Sequence, residues 1–597
     1  MTRVNEHPQA HDVRSQVVPL EHSSGPHTEM VIDWDVPTTM DDGVVLRGDV
    51  FRPAGEGEFP VLLSYGPYGK GLAFQDGYAP QRGYMIDRYP EVARGTTNEY
   101  QNWEVVDPEK WVPDGYAVVR VDSRGAGRSP GFLDVWSTRE TEDLYECIEW
   151  AGVQAWSNGR VGLAGISYYA MNQYQVAALQ PPHLAAICPW EGASDWYREF
   201  ARHGGILCEF AADWYGRQVE IVQHGVGERG YSSRVTGDLV AGPGTRDPEE
   251  LAPLRADLAA DVKSRATIDE WHLGRNPDWS RVEVPMLSAA NWGGQGLHTR
   301  GNIEAFLRAA SPEKWLEIHG DAHWVEFYTD RGVALQKRFF DHYLKGEDNG
   351  WDETSRVIVR ARHVDGSFAE RGEAEWPIDS TRWTRRYLSV TGSLTDQETE
   401  AGTVAYDTSG TGATFVTEPF AVETELTGPM SARLNLSADT TDIDIFAVVR
   451  LFDPEGEEVT FMGALDPNTP IAQGWLRGSH RLEDESLSRP ERPVYLHTEL
   501  SPLIPGQMYE LDVEIWPTSI VVPPGYRLAL TIRGNDYQYE GELTEFAQSF
   551  HYAARGIGPF RHDDPDDRPS EVFDGTVTIH CGPDAPSYLL LPVIPPG

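Results

Sequence analysis

The sequence predicts an α/β protein: a doubly wound, mostly parallel sheet, interrupted by a helical insertion and followed by an all-β domain of sandwich or jelly-roll type. Three observations predict it. Short apolar runs alternate with helical segments from about residue 60 to 190 and again from 284 to 344, the rhythm of strand–helix–strand units. Between roughly Ser194 and Ser280 that rhythm stops, and the chain reads as helices rich in Trp, Glu and Arg broken by loops such as Ala241-Gly242-Pro243-Gly244. From about Trp383 short alternating segments with frequent turns take over, the texture of a sandwich or jelly roll.

In chain order, Val31-Ile32-Asp33-Trp34 and Val44 to Phe51 read as opening antiparallel strands around an Asp- and Gly-rich turn. Pro60 to Tyr65 and Ala117 to Asp122 are buried strands, with an irregular aromatic stretch from Ala73 to Lys110 covering one side of the site between them. A helix is expected over Glu140 to Trp150 and another over Tyr169 to Leu179, stopped by Pro181-Pro182. Leu184 to Cys188, Val284 to Ala290 and Lys314 to His319 continue the sheet, and a helix from about Ala334 to Leu344 closes it. The divisions that follow are a flexible arm over residues 1–30, core over 31–193, helical cap over 194–280, core again over 281–350, a linker over 351–382 and the β domain over 383–597.

A chain of 597 residues exceeds what one core serves, and 40% apolar content with 11% aromatics excludes disorder. A formal charge of −43 repels phosphate, which excludes nucleic acid and disfavours an anionic membrane surface. Four scattered cysteines with no C-x-x-C pattern predict reduced thiols and a cytoplasmic setting, with no metal and no organic cofactor. No stretch approaches the length of a membrane span, and the polar first thirty residues lack the apolar centre of a signal peptide.

The chemistry centres on Gly162-Leu163-Ala164-Gly165-Ile166-Ser167-Tyr168-Tyr169. An apolar strand, a glycine, a serine and then a helix form the context in which a nucleophilic serine is held exposed at a sharp turn. Gly165 supplies the small residue that the turn needs, while Tyr169 stands where a second glycine is usual. A serine that attacks an acyl carbon needs a histidine to take its proton and a carboxylate to hold that histidine. His323, just past a late strand, is the candidate; His319 lies at the end of that strand and is expected to point into the core.

Several motifs together resemble the family of cocaine-esterase-like hydrolases and X-Pro dipeptidyl-peptidases over nearly the whole chain. They are Met40-Asp41-Asp42-Gly43-Val44 with Asp49 to Pro53, Pro67-Tyr68-Gly69-Lys70, Asp122 to Ser129, Gly165-Ile166-Ser167-Tyr168, and Val522 to Leu528. The resemblance implies an α/β-hydrolase core, an inserted helical cap and a C-terminal jelly roll, with an oxyanion hole made by the Tyr68 hydroxyl and the Tyr168 backbone N–H. It also implies an acid in a Trp-x-Asp pattern after the strand ending at Ala290. This chain instead reads Asn291-Trp292-Gly293-Gly294-Gln295-Gly296, without a carboxylate. Some α/β-hydrolases place the acid after the strand that follows the nucleophile helix, which here ends in Pro189-Trp190-Glu191. Glu191 is therefore the expected acid and Asp195 its alternative, with Asp321 and Glu326 solvated or structural.

Glu209 and Asp213, four apart on an expected helix, are candidates to hold a substrate amine, against the plainer reading of a solvated helix face. Trp190, Trp196, Trp214 and Trp292 are candidates for an acyl pocket, against core packing. The expected function is hydrolysis of an ester or amide through an acyl-enzyme, with X-Pro dipeptidyl-peptidase or an acyltransferase or amino-acid-ester hydrolase as rivals and a non-catalytic binding protein as the remote one. The expected partner is a small ester, amide or short peptide, and self-association into a homo-oligomer stays open.

Overall fold

Apolar runs too short for helices and too hydrophobic for a surface become the middle of one eleven-stranded sheet. The computed structural model describes residues 13–20, 25–541 and 555–596. The strands are β1 (Arg14–Pro19), β2 (Glu29–Thr39), β3 (Val45–Pro53), β4 (Phe59–Gly66), β5 (Ala117–Asp122), β6 (Ser157–Ile166) and β7 (Leu184–Trp190). After a separate hairpin, β8 (Arg202–His203) and β9 (Ile206–Leu207), come β10 (Met286–Asn291), β11 (Lys314–His319), β12 (Val357–Arg362) and β13 (Phe368–Glu373). Their spatial order is β1-β2-β3-β5-β4-β6-β7-β10-β11-β12-β13. Neighbours from β5 to β12 run parallel, and the two outer edges are antiparallel. Every residue of β4, β5 and β10 is buried, as parallel strands covered on both faces require.

Helices α1 (Thr138–Gly152), α2 (Tyr168–Ala177), α3 (His298–Arg308) and α4 (Asp330–Phe340) are the longer crossovers of this sheet. Ser137 caps α1, its side chain accepting the Glu140 N–H, and the helix buries Leu144, Cys147, Ile148 and Ala151 on one stripe. Parallel strands with helical crossovers put the loops after β4, β6, β7 and β11 on one edge, the edge at which open α/β sheets bind ligands.

Two sequence expectations are corrected at the sheet margins. Residues 351–382 are not a linker: β12 pairs in parallel with β11 and β13 returns antiparallel to it, so this stretch supplies the last two strands of the core. Part of the expected flexible arm is likewise a strand, since β1 pairs along its whole length with β2; residues 1–12 and 21–24 lie outside the described residues. Both are edge hairpins with exposed polar residues, which hides the apolar pattern that marks inner strands.

Residues 194–280 form short helical pieces plus the β8–β9 hairpin rather than long helices. The C-terminal part is an all-β domain. Its long strand Thr424–Ala438 pairs with Tyr509–Val522 on one side and with Tyr588–Ile594 on the other, and Tyr588–Ile594 in turn holds Arg382–Leu388, closing the sheet on itself. Its own core includes Leu434, Ile445, Val513 and Leu530. A loop of this domain reaches that sheet edge: the Ala464 carbonyl accepts the His323 N–H at 3.0 Å, and the Ala464 N–H donates to the Gly293 carbonyl at 2.7 Å.

Candidate active site

Ser167 stands between β6 and α2 with φ 55° and ψ −110°, a backbone conformation that a residue with a side chain occupies only when its surroundings enforce it. The Ser167 N–H donates to the carbonyls of Trp190 and Glu191 at 3.0 and 3.1 Å, and the Ile166 N–H to the Glu104 carbonyl at 3.0 Å. The bulk of Tyr169 is accommodated by glycines elsewhere. A Cβ on Gly165 would lie 2.4 Å from the Tyr169 Cβ, and one on Gly66 would lie 2.6 Å from its ring. The small residue missing after the serine is thus supplied by Gly66, across the sheet.

Glu191 follows β7 directly, with φ 48°, and is fully buried. Its Oε2 lies 2.9 Å from His323 Nδ1 and its Oε1 lies 3.2 Å from His319 Nε2. Burial alone would favour the neutral acid, but the two histidines outweigh it and hold the Glu191 carboxyl far below the usual carboxylate range. The structure therefore brings Glu191 and His323 together, on the ring nitrogen that an orienting acid must hold. It does not bring Asp195 there. That carboxylate accepts the Tyr197 and Arg198 N–H groups and pairs with the Arg198 guanidinium at 2.6 Å. Against burial, Arg198 keeps its pKa at about 2. Asp321 accepts from the Tyr84 and Tyr89 hydroxyls and pairs with Arg88, and Glu326 pairs with Arg331 and Arg360.

Three groups that the sequence did not offer, Glu317, Glu104 and His298, complete the network around His319 and His323. His319 does point inward, but into a polar contact, its Nδ1 2.7 Å from Glu317 Oε2. Glu317 and Glu191 overcome burial to push its pKa up to about 9. On the other side Glu104 Oε1 lies 2.9 Å from His323 Nε2, and Glu104 Oε2 is buried without a hydrogen-bond partner. The result is a continuous row of alternating carboxylates and imidazoles: Glu317, His319, Glu191, His323, Glu104. His298 stacks on the His323 ring at 4.9 Å, and burial followed by the His323 charge presses its pKa down to about 3.

Glu104 gives a pH prediction. Burial opposes charge on His323, yet the carboxylates of Glu191 and Glu104 push its pKa up to about 10, while burial raises Glu104 itself to about 7. Glu104→Gln removes one negative charge from beside the imidazolium, so the protonated ring loses stabilisation and its pKa falls, by about 1–3 units for a charge at this range. The acid limb of the kcat/KM profile, which reports the base in the free enzyme, should move to lower pH by that amount. A limb that stays in place would show that Glu104 does not govern His323.

Tyr68, on the loop after β4, is buried, and its hydroxyl oxygen accepts the Trp214 indole N–H at 3.1 Å. Among the described residues its own proton has no acceptor, so it is free to donate. Tyr168 opens α2, where backbone N–H groups have no intrahelical partner. Its ring lies 6.0 Å from that of Tyr68, and its hydroxyl is held by Glu140. Of the four candidate tryptophans, Trp214 touches Tyr68 and stacks on Trp136, and Trp196 reaches the same cluster through Trp136. Trp190 packs on His319 and Phe327, and Trp292 belongs to a separate core with Trp376. Glu209 and Asp213 face Arg561, at 3.2 and 3.7 Å, rather than the serine.

Residues 42–324 match the model of X-Pro dipeptidyl-peptidase (S15 family), and residues 349–590 match that of the X-Pro dipeptidyl-peptidase C-terminal non-catalytic domain. The cocaine esterase of Rhodococcus sp. (strain MB1 Bresler) is 24% identical, over 94% of this chain and 98% of its own. The Xaa-Pro dipeptidyl-peptidase of Streptococcus gordonii is 20% identical, over 83% of this chain and 72% of its own. A crystal structure of a CocE/NonD family hydrolase from Staphylococcus aureus is 30% identical, with a TM-score of 0.81 over 99% of this chain and 98% of that one.

Proposed function

The chain belongs to the CocE/NonD family of serine hydrolases, related to cocaine esterase and the X-Pro dipeptidyl-peptidases, and from that premise we propose that it hydrolyses esters of small apolar acids through Ser167, His323 and Glu191. In this reading Ser167 Oγ attacks the carbonyl carbon while His323 Nε2 takes its proton, and Glu191 holds the opposite Nδ1–H. For this Nε2 turns from Glu104 to the serine. The oxyanion receives the Tyr168 N–H and the Tyr68 O–H, His323 returns the proton to the departing alcohol, and water repeats the cycle on the acyl-enzyme. The all-β domain, with its sheet closed on itself, supports the reading of a jelly roll, and residues 194–280 that of a cap over the serine. Four buried, unpaired thiols support a reducing, cytoplasmic setting.

One observation carries the preference for an ester over an X-Pro peptide. A dipeptidyl-peptidase must neutralise a free substrate amine, and the carboxylate pair best suited to that, Glu209 with Asp213, faces Arg561, which it shares with Asp563. The stacked rings of Trp136, Tyr168 and Trp214 offer an apolar wall beside the nucleophile instead. Purified protein should therefore turn over phenyl and alkyl esters with kcat/KM on the order of a hundredfold above that for Ala-Pro anilides, the scale of discrimination that one unmet polar contact gives. Release of Ala-Pro as the faster reaction would reverse the assignment.

A further inference from the structure

Where the β8–β9 hairpin meets the all-β domain, three side chains converge that the hydrolytic site does not use. Among the described residues, donor atoms of His203, Cys208 and His562 all lie within 4.8 Å of one another, and all three residues are buried. Two come from the insertion and one from the β domain. The hairpin that carries His203 turns through Gly204 and Gly205, with φ of 54° and 97°. It is seated so closely on the β domain that a Cβ on Gly204 would lie 2.0 Å from the Trp475 carbonyl oxygen.

Hydrogen bonds to the outer ring atoms decide which nitrogens carry protons. His562 Nδ1 lies 2.8 Å from a carboxylate oxygen of Asp536; a carboxylate accepts, so Nδ1 bears the hydrogen and Nε2 presents a lone pair. His203 Nε2 faces the Glu199 carbonyl at 3.4 Å; a carbonyl accepts, so the hydrogen sits there and Nδ1 presents a lone pair. These two lone pairs face each other, with Nδ1 of His203 2.7 Å from Nε2 of His562. Moving a hydrogen between them would turn the His203 Nε2 lone pair onto a carbonyl oxygen. A cation at the meeting point, either a proton or a metal ion, satisfies both rings without that conflict.

We propose that His203, Cys208 and His562 bind a zinc ion that fastens the insertion to the all-β domain. Imidazole and thiolate donors suit this borderline-soft ion. An outer carboxylate on one ring and a backbone carbonyl on the other are the partners that fix ligand histidines in their metal-binding tautomers. Burial holds the Cys208 thiol protonated in the metal-free protein, and the Phe210 N–H on its sulfur works against that, so the ion must displace the proton as it binds. Charge balances as well: Zn2+ against the Cys208 thiolate, formed with loss of its proton to solvent, and the Asp536 carboxylate. Tetrahedral ligation at about 2.0–2.1 Å places two nitrogens about 3.3 Å apart, so the rings separate by roughly 0.6 Å on binding. The fourth position falls to water. The spacing His203-x4-Cys208 with a histidine some 350 residues later matches no short ligand pattern, which is why the sequence predicted no metal.

The test is elemental and spectroscopic and does not depend on turnover. The full chain, produced in zinc-supplemented medium and freed of loose metal, should retain about one zinc, with X-ray absorption showing a single sulfur at about 2.3 Å among nitrogen and oxygen neighbours. Loading with cobalt should give a thiolate-to-metal charge-transfer band, and Cys208→Ser should abolish that band and the bound zinc. Zinc-free protein that also fails to take up cobalt would overturn the proposal, as would zinc held without sulfur or zinc retained in full by Cys208→Ser. Because the metal content and the cobalt spectrum are read on the unmutated chain, a Cys208→Ser variant that fails to fold leaves the test intact.

Discussion

Ser167→Ala is expected to lower kcat on the order of a millionfold, close to the loss of the whole catalytic assembly, because a nucleophile and its base act as one unit. The backbone argument makes the substitution clean. Alanine keeps the Cβ that the φ of 55° already tolerates, and the elbow is held by main-chain bonds to Trp190 and Glu191 rather than by the serine hydroxyl. The variant should therefore fold with an unchanged melting temperature and fail to react with a fluorophosphonate. Retained esterase activity, or labelling at another residue, would remove Ser167 from the chemistry and leave the elbow as a structural turn.

Glu191→Gln comes second, with an expected loss of about ten-thousandfold in kcat, the scale seen when an amide replaces the orienting acid and the wrong imidazole tautomer results. Here the effect has a further route. Glu191 touches both His323 and His319, so the neutral amide also withdraws the charge that stabilises the imidazolium formed when His323 takes the serine proton. Asp195→Asn serves as the comparison. Its carboxylate caps a helical turn and pairs with Arg198, so the damage should appear in stability and leave kcat within a few-fold. Near-normal turnover in Glu191→Gln together with collapse in Asp195→Asn would exchange the two roles.

The parts of this architecture written into short stretches were legible. The elbow is a local event, in which six apolar or small residues lead into a serine and a helix, and no distant contact is needed to see it. His323 and Glu191 were legible at one remove, because each directly follows a buried strand and parallel strands end on one edge. Glu104 was not legible. It sits at φ 62° in an irregular stretch, and its significance comes from a residue more than two hundred positions away. His319 was read by its burial, correctly, but burial does not distinguish a packed ring from one held between two carboxylates. Strands β12 and β13 were taken for a linker because Phe368-Ala369-Glu370-Arg371-Gly372-Glu373 is an exposed edge in which charge replaces alternation. Glu209 and Asp213 are legible as a pair, but Arg561, which faces both, is brought in by the far end of the chain.

The backbone bond from His323 to Ala464 bears on where variation can act. The loop that carries His323 is anchored on the all-β domain, so folding of that domain and the placement of His323 are thermodynamically linked. A substitution in the β domain that loosens residues 461–469 would widen the positions His323 samples, and a misplacement of about 1 Å is enough to lower turnover a hundredfold. With the proposed chemistry, selection on rate therefore reaches deep into the all-β half of the molecule, and the two halves are constrained to drift together.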